Sequence, residues 1–102
     1  MTTCNDGYDG LRRVLANAVQ QASGGKGRER HVHKDEPFEE QPICLGGRRF
    51  GPGCLLYQAW KKTDEVPKLM TMDNGKERAL QEIYGAINYL AAAAIIIEEQ
   101  QS

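Results

Sequence analysis

At 102 residues the chain has room for one domain, residues 1–102, and a chain of this length buries only about two thirds of its unfolded surface. Thirteen basic against fourteen acidic side chains leave a net charge of −1, which excludes general nucleic-acid coating, so any affinity for anions must come from local clustering. The cysteines, Cys4, Cys44 and Cys54, are odd in number and form no C-x-x-C pair, which supports neither a disulfide framework nor a cysteine-rich zinc site.

The opening stretch MTTCNDGYDG has no basic flank followed by an apolar run, so no signal peptide is expected. Leu11, Val14, Leu15, Ala18 and Val19 then recur at the spacing of one helical stripe. Asp9 is placed to cap its start and Ser23-Gly24-Gly25 to end it, which predicts a first helix over residues 9–22.

Residues 24–52 lack helical periodicity and are rich in glycine and arginine. A connection of this length inside a compact domain is usually functional or disordered. ICLGGRRF, with Gly46-Gly47 as a turn between two extended pieces, has the pattern of a short β-hairpin.

Pro52 suits the first turn of a second helix, and Leu55, Leu56, Ala59 and Trp60 follow at helical spacing until Pro67 forces a stop. That helix is predicted over residues 53–65, with Lys61 and Lys62 at its C-terminal end. A third helix is predicted over residues 75–99, with Asn74 and Glu77 as a capping-box variant. Its apolar stripe comprises Leu80, Ile83, Tyr84, Ile87, Leu90, Ala91, Ala94 and Ile95. From Ala86 the other face turns apolar as well, through Ala93, Ile96 and Ile97. A helix apolar all round has to be covered all round, either by a second copy of the chain or by the middle segment. The apolar run Ala86 to Ile97 is interrupted by Asn88 and falls short of the roughly 18 residues of a membrane span. The fold class expected is therefore mainly α: a three-helix domain with a long Gly/Arg-rich middle segment and room in it for a hairpin. Reduced thiols and the absence of a span point to a soluble, cytoplasmic protein.

Candidate chemistry centres on two basic stretches. Lys26, Arg28, Arg30 and His31 lie in GGKGRERH, and Arg48 and Arg49 in GGRRFGPG. Glycine-rich turns expose backbone N–H groups to anions, and arginine forks match phosphate oxygens in pairs. No Walker motif is present, and pairing with nearby Glu and Asp residues is the plainer role for the same arginines. His31 and His33 form an H-x-H pair that suits ligand contact, with no third residue selected by spacing to complete a metal site. Tyr57 and Trp60 are the first choices for stacking on a base; at helical spacing such rings are more often core. Glu39, Glu40 and Glu82 are the carboxylates that a magnesium site would use, and no Ser-His-Asp or Cys-His arrangement is set by spacing.

The run from GKGRERH through GPGCLLYQAWKK to ALQEIYGAINYLAAAAIIIEE, residues 25–99, resembles small proteins encoded by bacteriophages and prophages. EIYGAINYL is similar to the E-x-x-D-x-x-x-Y-L helix of all-α nucleotide pyrophosphohydrolases of the MazG type. Gly85 stands where that family has a metal-binding aspartate, and the paired upstream E-x-x-E is missing. The second resemblance is to small oligomeric phage proteins that sequester a host nucleotide signal. It implies a non-catalytic nucleotide binder without cofactor or metal, assembled as a homo-oligomer through the C-terminal helix and working in the host cytosol against signal-based immunity. Lys26, Arg28, Arg30 and His31, with Arg48 and Arg49, would hold phosphates, with His33 as a further ligand contact and Tyr57 or Trp60 on the base. The enzyme alternative is a magnesium-dependent nucleoside triphosphate pyrophosphohydrolase. A third alternative is a protein-binding inhibitor of a host or CRISPR effector.

Overall fold

The computed structural model describes residues 6–24 and 36–100. Among the described residues the protein is mainly α, without strands, in the order α1 (Asp9–Gly24), a 3₁₀ turn (Phe38–Glu40), α2 (Pro42–Phe50), α3 (Pro52–Asp64), a single α-helical turn α4 (Val66–Leu69) and α5 (Gly75–Gln100). The three expected helices are present at nearly the expected bounds. Helix α2 is a correction: the stretch ICLGGRRF is helical, not a hairpin.

The reason lies in tertiary packing at Gly47. A Cβ there would stand 2.6 Å from Leu55 Cδ1 and 3.0 Å from Ile96 Cγ1, so α2 can cross α3 and α5 only where it carries no side chain. Neither Gly46 nor Gly47 has positive φ, whereas the turn of a two-residue hairpin needs it. The glycine that does turn the chain is Gly51, with φ 91° and ψ 161°, a conformation essentially restricted to glycine. It lets α3 start at once, with Pro52 in the first turn as expected.

The core is built on small residues. Cys44, Leu55, Ala92, Ala93 and Ile96 form its buried cluster, with Phe38, Ile43, Cys54 and Tyr89 packed around it. Leu55 and Ile96 each contribute about 1.5–3 kcal/mol through burial, and the alanines let the helix axes come close. Helix α5 is therefore turned from the expected orientation. Its buried positions are Gly75, Ala79, Gly85, Ala86, Ala92, Ala93 and Ile96, while Leu80, Leu90 and Ile97 face outward. Among the described residues the middle segment folds over part of α5, through α2, and leaves Leu80, Leu90 and Ile97 exposed.

Helix α1 departs from expectation in the same sense. Ala18 is buried and Val14 half-buried, but Leu11, Leu15 and Val19 are exposed. Polar contacts set this orientation. Asn17 Nδ2 donates to the Tyr84 hydroxyl at 3.2 Å, and Asn88 Nδ2 donates to the Ala18 carbonyl at 3.0 Å. Asp9 is the first residue of α1 and not its cap. Just ahead of the helix, Asp6 Oδ1 accepts from the Tyr8 N–H at 3.0 Å.

The start of α5 differs from a capping box. Asn74 has φ 61°, whereas an N-cap lies in the extended region. A Cβ on Gly75 would collide with the Leu69 carbonyl oxygen, so the tight entry from α4 requires glycine there. By length and composition α5, with 26 residues and a most apolar stretch of mean hydropathy 1.4, is the one described helix able to cross a membrane. The uninterrupted apolar run is short, but the helix around it is not. It is only weakly apolar, and 39% of that stretch is buried within the chain, which is compatible with a soluble protein.

Candidate functional site

Helices α1, α2, α3 and α5 enclose a cleft of about 570 Å³, within the range of small-molecule sites. Carboxamides dominate its polar lining: Gln21 from α1, Gln41 before α2, Gln58 from α3, and Gln81 and Asn88 from α5. Three rings supply apolar surface, Phe38, Phe50 and Tyr89.

The carboxamides are partly tied to one another. Gln21 Nε2 donates to the Gln81 carbonyl at 3.0 Å and to Gln81 Oε1 at 2.9 Å, and its Oε1 accepts from Asn88 at 3.4 Å. Gln41 Nε2 donates to the Glu36 carbonyl at 3.3 Å. Each carboxamide offers two donor hydrogens and an acceptor oxygen, so these bonds leave capacity at Gln81 Nε2, Gln41 Oε1 and Asn88 Oδ1. None of the described polar or charged side chains is fully buried, so that capacity faces accessible space.

Lys62 and Glu82 supply the charge in the lining, paired at 3.4 Å and each about one third exposed. The Lys62 stem crosses Gly85: a Cβ at position 85 would lie 2.8 Å from Lys62 Cδ and 2.9 Å from Cε. The position at which the pyrophosphohydrolase pattern carries a metal-binding aspartate is thus occupied by a lysine stem. Glu39 and Glu40 are exposed on the 3₁₀ turn. No three His, Cys, Asp or Glu side chains among the described residues are grouped to hold a metal ion.

The two arginines of α2 have different surroundings. Arg48 grips Glu99 through both carboxylate oxygens, Nε to Oε1 at 2.9 Å and Nη2 to Oε2 at 2.8 Å. Its Nη1 also donates to the Glu39 carbonyl at 2.7 Å. Those bonds pull the Glu99 carboxyl below its usual range and raise the Arg48 guanidinium further, so Arg48 clamps α2 to the end of α5. Arg49 instead places its guanidinium 5.6 Å from the centre of the Phe50 ring, at the cleft wall. Phe50 remains 70% exposed, which leaves its ring open to a planar ligand. The first turn of α3 adjoins the same wall through Cys54, and its N-terminal N–H groups favour anions.

Tyr57 and Trp60 lie elsewhere. Their centroids are 5.9 Å apart with the planes tilted by 32°, both rings are more than half exposed, and neither lines the cleft. Lys61 Nζ sits 5.6 Å above the Tyr57 ring. Lys26, Arg28, Arg30, His31 and His33 lie outside the described residues. Ala22 and Phe38, on either side of that segment in the chain, both line the cleft.

The carboxamides are the functional candidates that sequence reasoning missed. In an isolated helix Gln21, Gln58 and Gln81 look like solvated positions, and only their convergence from three helices gives them a common role. One signal was available: Asn88 interrupts an otherwise apolar run, and a polar residue in such a place needs a partner.

No protein-family model matches the chain, and neither the curated protein sequences nor the solved structures contain a significant match to it.

Proposed function

We infer that the protein binds a phosphorylated nucleotide in this cleft and holds it without turnover. The observation that supports this reading is the convergence of five carboxamides with aromatic rings in one open cleft of about 570 Å³. Carboxamides present donor and acceptor side by side, the pattern on the edge of a nucleobase, and a base stacks on a ring such as Phe50 or Tyr89. Arg49, placed over Phe50, and the N-terminal turn of α3 would take phosphate oxygens. Lys62, beside Glu82, adds a cation within the lining. Holding without hydrolysis accords with the pairing of Glu82 to Lys62 and with the lysine stem over Gly85. In a phage setting, which the sequence resemblance implies, such a protein would withdraw a signalling nucleotide from the host cytosol.

Native mass spectrometry before and after heat denaturation, with the released fraction analysed for nucleotides, tests this reading. An intact nucleotide released from the folded protein is expected. A folded protein that carries none, and takes up neither cyclic nor linear nucleotides on incubation, overturns it. One observation favours a second reading, a protein-binding inhibitor: Tyr57 and Trp60 are exposed on α3 beside Leu56, and both are residue types that anchor protein interfaces. A stable protein complex lost in Trp60→Ala, together with an empty cleft, would select it.

A further inference from the structure

The outward face of α5 carries Leu80, Ile83, Ile87, Leu90, Ala94 and Ile97, a strict alternation of three- and four-residue steps. That is the a/d spacing of a coiled-coil seam, narrower than the stripe of a helix facing a globular core. Among the described residues this seam has no full partner. Leu80, Leu90 and Ile97 are 36%, 50% and 44% exposed, Ala94 is exposed, and Ile83 and Ile87 are half-buried. It is flanked on one side by Ala79, Ala86 and Ala93, which are buried within the chain, and on the other by Tyr84, Ala91 and Glu98. On the open flank the small Ala91 permits close approach of another helix, and Glu98 is the one charge there.

We propose that this seam pairs with the same seam of a second copy, antiparallel, to make a two-fold homodimer. Two features of α5 select a copy and this orientation. The first is size. Antiparallel a-to-d layering sets Leu80 against Ile97, Ile83 against Ala94 and Ile87 against Leu90, so the small Ala94 always receives the branched Ile83. A parallel pair would instead stack Ala94 on Ala94 and leave a gap. The second is charge. Lys76, four residues before Leu80, and Glu98, beside Ile97, lie on the seam side of α5 at its two ends. Antiparallel pairing brings Lys76 of each copy towards Glu98 of the other, whereas parallel pairing sets like against like.

The seam and the cleft use different sides of the same helix. Gly85 and Tyr89 are each two residues from Ile87, about 200° around the helix at 3.6 residues per turn. A dimer built on the seam therefore leaves both clefts open to solvent, and its formation is independent of what they bind.

Sedimentation equilibrium of the full chain tests the interface. The expected mass is twice that of the 11.4 kDa chain. Leu90→Glu, at a position half exposed within one chain, should sediment at the single-chain mass with its helical circular dichroism unchanged. Ala94→Ile should weaken dimerisation at least about tenfold, the equivalent of roughly 1.4 kcal/mol. Adding Ile83→Ala to it should restore the dimer by exchanging large for small. A folded single chain at about 100 µM, or a chain that co-sediments with phosphatidylcholine–phosphatidylglycerol vesicles in place of dimerising, overturns the proposal. So does a dimer that survives Leu90→Glu, or one strengthened by Ala94→Ile.

Discussion

The Lys62 side chain lies directly over Gly85, with the site of a Cβ only 2.8 Å from Lys62 Cδ, and its ammonium reaches Glu82 at 3.4 Å. A methyl group at position 85 must push the lysine stem aside. The stem is flexible, so the displacement is cheap, and replacing a helical glycine by alanine returns about 1 kcal/mol. Gly85→Ala should therefore change global stability by less than about 1 kcal/mol in thermal unfolding, yet separate Lys62 from Glu82. Since both side chains line the cleft, nucleotide affinity should fall about tenfold. Unchanged affinity would remove Lys62 from the site.

The adjacent glycines of α2 should respond with opposite signs. A Cβ at Gly46 meets nothing within 4 Å, so Gly46→Ala gains helix propensity and should stabilise by about 0.5–1 kcal/mol. At Gly47 the same change drives a methyl into Leu55 and Ile96, both buried, and should destabilise by roughly 1–3 kcal/mol. Urea midpoints of the two variants decide the matter. Destabilisation by both changes would instead describe a turn that needs glycine at each position, as the hairpin reading requires.

The contact between Arg48 and Glu99 carries a pH dependence of definite sign. The Arg48 hydrogen bonds hold the Glu99 carboxyl below the ordinary glutamate value of about 4.3. A depressed carboxylate stabilises the folded state at all pH values above its unfolded pKa, and that contribution is lost as pH falls through the folded value. Amide-exchange protection of residues 42–50 should therefore be flat from neutral pH down to about pH 5, then fall on further acidification. Glu99→Gln should lower that protection at neutral pH and flatten the acid decline. An unaltered exchange profile in that variant would mean that the clamp does not hold α2 in place.

Cysteine reactivity reports on both the core and the cleft. Cys44 is fully buried, and burial pushes its thiol above the usual range against the smaller opposing effect of Arg48. Cys54 is partly exposed and lines the cleft, with a weak contact to the Gly46 carbonyl at 3.7 Å. Iodoacetamide with peptide mapping should modify Cys54 first and reach Cys44 only on unfolding. A bound nucleotide should slow alkylation at Cys54 and leave Cys44 unaffected. Equal protection of both thiols by the ligand would indicate general stabilisation and not occupancy of the cleft.

The helices were legible in the sequence where local signals agree with tertiary demand. Pro52, Pro67 and the Asn74-Gly75 junction bound α3 and α5 within a residue or two. Orientation was not legible. Bulky apolar side chains normally turn inward, but here α5 buries Ala86, Ala92 and Ala93 and leaves Leu90 and Ile97 outside. Close helix packing favours small residues, and composition does not distinguish a core seam from an interface seam. Helix α2 was hidden for a related reason. Gly46-Gly47 reads locally as a turn, and only the approach of Leu55 and Ile96 shows why Gly47 must lack a side chain. The cleft was least legible, because its carboxamides come from sequence positions as distant as Gln21 and Asn88.

The most direct test of the cleft as a nucleotide site is two-dimensional ¹H–¹⁵N NMR of the side-chain carboxamides during titration with a nucleoside monophosphate. The Gln58, Gln81 and Asn88 NH₂ signals should shift together and saturate, with the Phe50 ring signals moving in step and the Trp60 indole N–H unchanged. Shifts confined to the α3 patch around Trp60, or carboxamide signals that remain still at saturating nucleotide, would contradict the account.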